Sequence, residues 1–145
     1  MTDIKDDSTT VETESCPCSS GLCYDSCCKP YHKGIKHAPS AEALMRARYS
    51  AYALGEMDYL LKSIPLIERK RFDIRDARAW SSQSEWLGLE VISTKESSNG
   101  QKATVEFKAK FKAGENEHTH HERAYFEKTA GRWFFLDGKI LEAKE

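Results

Sequence analysis

All five cysteines of this 145-residue chain fall between positions 16 and 28, in Cys16-Pro17-Cys18-Ser19-Ser20-Gly21-Leu22-Cys23-Tyr24-Asp25-Ser26-Cys27-Cys28. From there to residue 36 the large apolar side chains are only Leu22, Tyr24, Tyr31 and Ile35, too few to fold the segment by burial. It needs a staple. Cys16/Cys18 and Cys27/Cys28 supply two short arms around a loop that Gly21 leaves free to turn, and four thiolates are enough to close a tetrahedral zinc site. The backbone N–H groups of Ser19, Ser20 and Gly21 are placed to face the sulfurs. Redox chemistry is the competing reading, but a disulfide between the neighbours Cys27 and Cys28 is strained, and no C-x-x-C pair is present.

The remaining chain is long enough for one main core. With 39% hydrophobic and 31% charged residues its composition is that of a globular protein. No charged-then-apolar leader opens the chain and no apolar run approaches the ~20 residues that cross a bilayer, so a cytoplasmic protein without a membrane partner is expected. Residues 1–15 are acidic and polar with little to bury, and read as a disordered tail. The net charge of -1 conceals a local basic excess at Lys29, Lys33, Lys36, Arg46 and Arg48. These cations suit an anionic partner, or more simply offset the charge of a thiolate cluster.

Ser40 can cap a helix that Gly55 closes, with Leu44, Ala47, Ala51 and Leu54 at helical spacing. A short helix is expected over 57–63, stopped by Pro65, and a third over 66–77. The acidic neighbours Glu68, Asp73 and Asp76 make Arg69-Lys70-Arg71 a solvated helix face, so no nucleic-acid partner is assigned. After a loop at 81–84 the period becomes alternating. Strands are expected over 85–94, with Leu87, Leu89 and Val91 on one face, then through Val105, Phe107, Ala109 and Phe111, over 118–129 and over 132–137. Residues 138–145 finish as a short edge strand or a frayed end. Helices followed by an antiparallel sheet make an α+β fold with the helices on one face.

The pattern C-P-C-x-S-G-x-x-Y-x-x-C-C resembles the SEC-C motif, a zinc knuckle found at the end of the SecA translocation motor. Its ligands carry over to Cys16, Cys18, Cys27 and Cys28. The motif usually has glycine where Ser19 stands and a polar or basic residue at Cys23, which leaves Cys23 outside the ligand set. Beyond the knuckle, Pro30-Tyr31-His32, residues 42–52, Trp86-Leu87-Gly88-Leu89, His121-Glu122-Arg123, Gly131-Arg132-Trp133 and Asp137-Gly138 resemble the bacterial YchJ-like family. That resemblance implies a knuckle over 16–36 and, over 37–143, a nuclear-transport-factor-two-like, or cystatin-like, cone of helices on a curved antiparallel sheet. It carries no activity with it. It also suggests docking to a protein partner through the knuckle, and related cones often dimerise through the outer sheet face.

Enzymes on cone folds place Asp, His or Tyr on the concave sheet face, which makes Tyr49, His121, Glu122 and Asp137 the candidate pocket residues. Arg46 or Arg48 would be an anion clamp, or would form salt bridges between helix and sheet. His118, His120 and Glu122 share a strand face and could hold a divalent metal, although a solvated strand end is the simpler account. No phosphate-binding glycine loop, G-x-S-x-G elbow, H-E-x-x-H pair or dinucleotide fingerprint is present. The expected function is a zinc-binding accessory or adaptor protein with a structural four-cysteine site and a pocketed domain for a protein or small-molecule ligand. The alternative is an enzyme or small-molecule binder working from the cone cavity.

Overall fold

The computed structural model describes residues 14–141, so the expected tail lies almost wholly outside the described residues. Glu14 and Ser15 already belong to the folded part: Ser15 forms an antiparallel bridge with Cys23, and the Tyr24 amide donates to the Glu14 carbonyl at 3.2 Å. A 3-10 turn, Tyr24–Ser26, leads into the one-turn helix α1, Lys29–His32, which Pro30 opens.

The central helix α2, Ala41–Leu54, begins where the Ser40 hydroxyl accepts the Ala43 amide at 3.1 Å. It ends at Gly55, whose φ of 78° is the left-handed conformation that closes a helix without a Cβ clash. Leu44, Met45, Ala47, Tyr49 and Ala51 are buried, while Leu54, at the last turn, is 47% exposed. Helix α3, Met57–Lys62, stops ahead of Pro65 as expected.

The third expected helix is displaced. Residues Leu66–Arg71 form a 3-10 segment with Leu66 and Ile67 in solvent, and the helix proper, α4, runs Ile74–Gln83. Asp73 decides the break, because its carboxylate accepts the Arg75 and Asp76 amides and caps a new start. The expected loop at 81–84 is absorbed into the helix end and the next strand. Ser81 Oγ donates to the Tyr52 carbonyl at 2.6 Å, locking α4 onto α2.

Four antiparallel strands follow in sequential order: β1 Ser84–Glu96, β2 Lys102–Ala113, β3 Asn116–Thr129 and β4 Arg132–Ile140. On β2, Ala103, Val105, Phe107 and Ala109 face the helices and are buried. Burying a side chain the size of Val105 or Phe107 contributes about 1.5–3 kcal/mol. On β1 the expected face is wrong at one residue. The register shifts between Trp86 and Gly88, so Trp86 joins the inner face and Leu87 turns out, 42% exposed. The last strand extends to Ile140 through a second irregularity, where Tyr125 pairs Asp137 but Phe126 pairs Phe135.

Leu44, Met45 and Tyr49 of α2 pack with Val105, Phe107, Phe126 and Trp133 of the sheet, and this cluster also contains Cys16, Cys18 and Cys28. No helix among the described residues is long and apolar enough to cross a membrane.

Candidate metal centre and cavity

The ligand sulfurs of Cys16, Cys18, Cys27 and Cys28 all lie within 4.8 Å of one another. Zinc–sulfur bonds of about 2.3 Å in a tetrahedron set sulfurs roughly 3.8 Å apart. The Cys18–Cys27 and Cys27–Cys28 separations are 3.6 and 3.9 Å, so the donor set fits such an ion with little movement. Among the described residues this is the one group of three or more His, Cys, Asp or Glu side chains whose ligand atoms converge. Cys23 lies outside it, on the strand-like bridge to Ser15.

The loop is shaped by two residues in the left-handed region, Ser19 (φ 69°) and Gly21 (φ 88°). They fold the chain back so that the Cys16 amide donates to the Leu22 carbonyl at 2.8 Å. The expected ring of backbone amides around the sulfurs is replaced in part by a side chain. The Ser19 amide donates to the Cys16 carbonyl, and it is the Ser20 hydroxyl that reaches Cys27 Sγ, at 3.2 Å, while accepting the Leu22 amide. Hydrogen bonding from Cys16, then Cys28, holds the Cys18 thiol far below its ordinary value, whereas the interaction with Cys18 pushes Cys16 up to about 11. Arg46 donates to the Cys18 carbonyl at 2.8 Å and brings a cation beside it.

Three contacts fasten the cysteine loop to the α+β layer. Arg46 is one. His32 is the second: Nε2 donates to the Ala47 carbonyl at 2.8 Å, which leaves Nδ1 to accept the Tyr24 hydroxyl at 2.7 Å. Burial lowers the His32 pKa and keeps the ring neutral, and burial likewise raises Tyr24 to about 12. Third, Ser19 Oγ accepts the Leu89 amide of β1 at 3.1 Å.

On the other side of α2 a cavity of about 250 Å³ opens between the helices and the inner sheet face. Tyr49, Tyr52, Trp80, Trp86, Phe107 and Phe135 make most of its wall, with Arg48, His120 and Glu122 as the charged or titratable lining. Tyr49 and Glu122 are both part of this lining, with the Tyr49 hydroxyl accepting the Gly88 amide at 2.9 Å. His121 and Asp137 are not. His121 is one residue from Glu122 and points to the opposite face, where it pairs with Glu106 at 2.7 Å. Asp137 pairs with Tyr125 after the β4 irregularity, is exposed, and accepts its own neighbour's amide at Gly138. Trp80 was not foreseen; its signal is a lone indole on a short, mostly polar helix.

His118, His120 and Glu122 share the inner strand face, but their ligand atoms do not converge: His118 stacks on Phe111, while His120 meets Glu122 Oε1 at 2.6 Å. Of the two arginines, Arg46 pairs with Glu42 on its own helix. Arg48, only 6% exposed, makes no ion pair among the described residues. It donates to Ser63 Oγ and lies 4.0 Å above the Phe135 ring centroid. Gly138 faces Glu122, and a Cβ there would overlap the Glu122 carboxylate.

Residues 40–138 match the family described as YchJ, middle NTF2-like domain. The chain is similar to the solution structure of a SEC-C motif containing protein from Rhodopseudomonas palustris. The two are 43% identical with a TM-score of 0.80, over 88% of this chain and 98% of that one. It is also similar to a SEC-C motif containing protein from Psychrobacter arcticus. Here identity is 32% and the TM-score 0.79, over 94% of this chain and 88% of that one.

Proposed function

Because the chain belongs to the family of the YchJ middle NTF2-like domain, we propose that it is a zinc-binding accessory protein in which a closed metal knuckle holds up a ligand-binding α+β layer. The convergence of the Cys16, Cys18, Cys27 and Cys28 sulfurs carries this reading. An all-sulfur set favours zinc, and four protein ligands leave no position for a reacting water, so the ion stabilises and does not catalyse. The cavity beside Tyr49 and Glu122 supports the ligand-binding part. Chemistry in that cavity would have to rest on His120 and Glu122, since His121 and Asp137 face away. Metal analysis of freshly reduced protein is expected to give one zinc per chain, with a marked fall in thermal midpoint on chelation. Less than about half an equivalent, or an unchanged midpoint, overturns the reading.

A second observation favours a protein contact at the knuckle. A cleft of about 200 Å³ beside α1 is lined by Lys33, Lys36, His37, Lys62 and Arg132, with no carboxylate in its lining. Such a cleft suits an acidic segment of a partner protein. The Lys33→Glu, Lys36→Glu double variant should keep its zinc and lose binding of a glutamate-rich peptide in fluorescence anisotropy. Undiminished binding removes this docking mode.

A further inference from the structure

We propose that the cavity binds a small monocarboxylate with an apolar or aromatic body, its carboxylate seated on Arg48 and Tyr52; this rests on the reading of the cavity as a ligand site. The guanidinium of Arg48 has five N–H donors. It lines the cavity while only 6% exposed, and its one side-chain hydrogen bond among the described residues goes to Ser63 Oγ. A buried charge without a counter-ion is costly, and Phe135 beneath it supplies only the face of a ring.

The nearby carboxylate answers that charge only from a distance. Glu122 lies within electrostatic reach of Arg48, but its Oε1 is engaged by His120 at 2.6 Å, and no Arg48–Glu122 ion pair forms. Tyr52 stands under the influence of both groups, and its hydroxyl has no hydrogen-bond partner among the described residues. An arginine fork and a neighbouring phenol are the donors that a carboxylate takes up in two directions.

The wall decides the rest of the ligand. Trp80 and Trp86 lie 5.3 Å apart by ring centroids and Tyr52 lies 5.1 Å from Trp80, an apolar surface for a flat or branched body. A cation would find the aromatic rings attractive, but it would meet Arg48, and the one carboxylate of the lining, Glu122, is already held by His120. A phosphate ester would bring two charges and a large hydration shell into a mostly apolar space with one guanidinium. At about 250 Å³ the cavity falls just below the usual range of ligand sites, which starts at roughly 300 Å³, so the ligand is a small one.

The test compares three probes of one shape on the zinc-loaded full chain: phenylacetate, phenylacetamide and 2-phenylethylamine, followed by tryptophan fluorescence and thermal shift. Phenylacetate is expected to bind at least about tenfold more tightly than the other two, the difference a charge-assisted pair supplies. Arg48→Gln should bring phenylacetate down to the amide's level. Tyr52→Phe, which keeps the ring and tests the site even if the Arg48 variant does not fold, should weaken phenylacetate about fivefold and leave the amide unchanged. Equal or tighter binding of the amide or amine overturns the carboxylate assignment while the ligand-site reading stands. Absence of binding by all three up to about 10 mM overturns both.

Discussion

Gly138 lies where any Cβ would occupy the space of the Glu122 carboxylate, so the absence of a side chain on β4 lets an acid on β3 stand upright in the cavity. Gly138→Ala is therefore expected to cost about 1–3 kcal/mol, as overpacking does. Shortening the acid should undo part of that cost. In urea denaturation the Gly138→Ala, Glu122→Ala pair should be less unstable than the sum of the single variants by about 1 kcal/mol. Strict additivity would mean that the two groups do not compete for one space.

The ligand set separates Cys23 from its neighbours. Cys23→Ser should retain one zinc per chain and a native circular dichroism spectrum, whereas Cys18→Ser should lose both. Structural zinc sites bind with about 10–16 kcal/mol, comparable to or larger than the whole stability of a domain, so removing a ligand should unfold the chain rather than simply empty it. Zinc retention by Cys18→Ser would contradict the assignment.

Ser19 occupies a left-handed position and also accepts the Leu89 amide, two roles that different residues fill best. Glycine relieves about 1–2 kcal/mol of backbone cost and gives up a hydrogen bond worth about 1 kcal/mol, so Ser19→Gly should be close to neutral. Ser19→Ala keeps the backbone cost and loses the bond, and should be less stable by about 1–2 kcal/mol. Denaturation midpoints of the two variants, compared at matched zinc content, check the order.

His32 should be neutral, with its proton on Nε2, when observed by imidazole nitrogen NMR at pH 7, and should titrate below its ordinary 6.5. The sign follows from burial. Below pH 6.5 the unfolded chain takes up the proton more readily than the folded one, so this contribution to stability is complete above 6.5 and declines as acid is added. His32→Gln should flatten that part of the stability profile. A proton on Nδ1 at pH 7 would show that His32 donates to the Tyr24 hydroxyl instead and leaves the Ala47 carbonyl without its bond.

Much of the fold was written locally. Ser40 and Gly55 mark both ends of α2 because capping depends on a few adjacent atoms, and the alternation from Ala103 to Phe111 shows its buried face directly. The cysteine arms were legible for the same reason. The cavity residues were less so, because which face a strand residue takes depends on inserted residues that tertiary packing creates. One irregularity exchanges Leu87 for Trp86, another sends Asp137 outward, and simple parity separates His121 from Glu122. The break at Asp73 was hidden by a charge pattern that suits a helix on either side of it.

The hydrogen bond from Leu89 to Ser19 spans 70 positions of chain. At roughly 5–20 residues per second of synthesis, the cysteine arms leave the ribosome several seconds before the strand that receives them exists. The order of events is then set by geometry: the thiols can gather early around an ion by local closure, and only later does the nascent sheet arrive beneath them. What begins as a short loop closed on itself ends as one wall of the core it shares with the sheet.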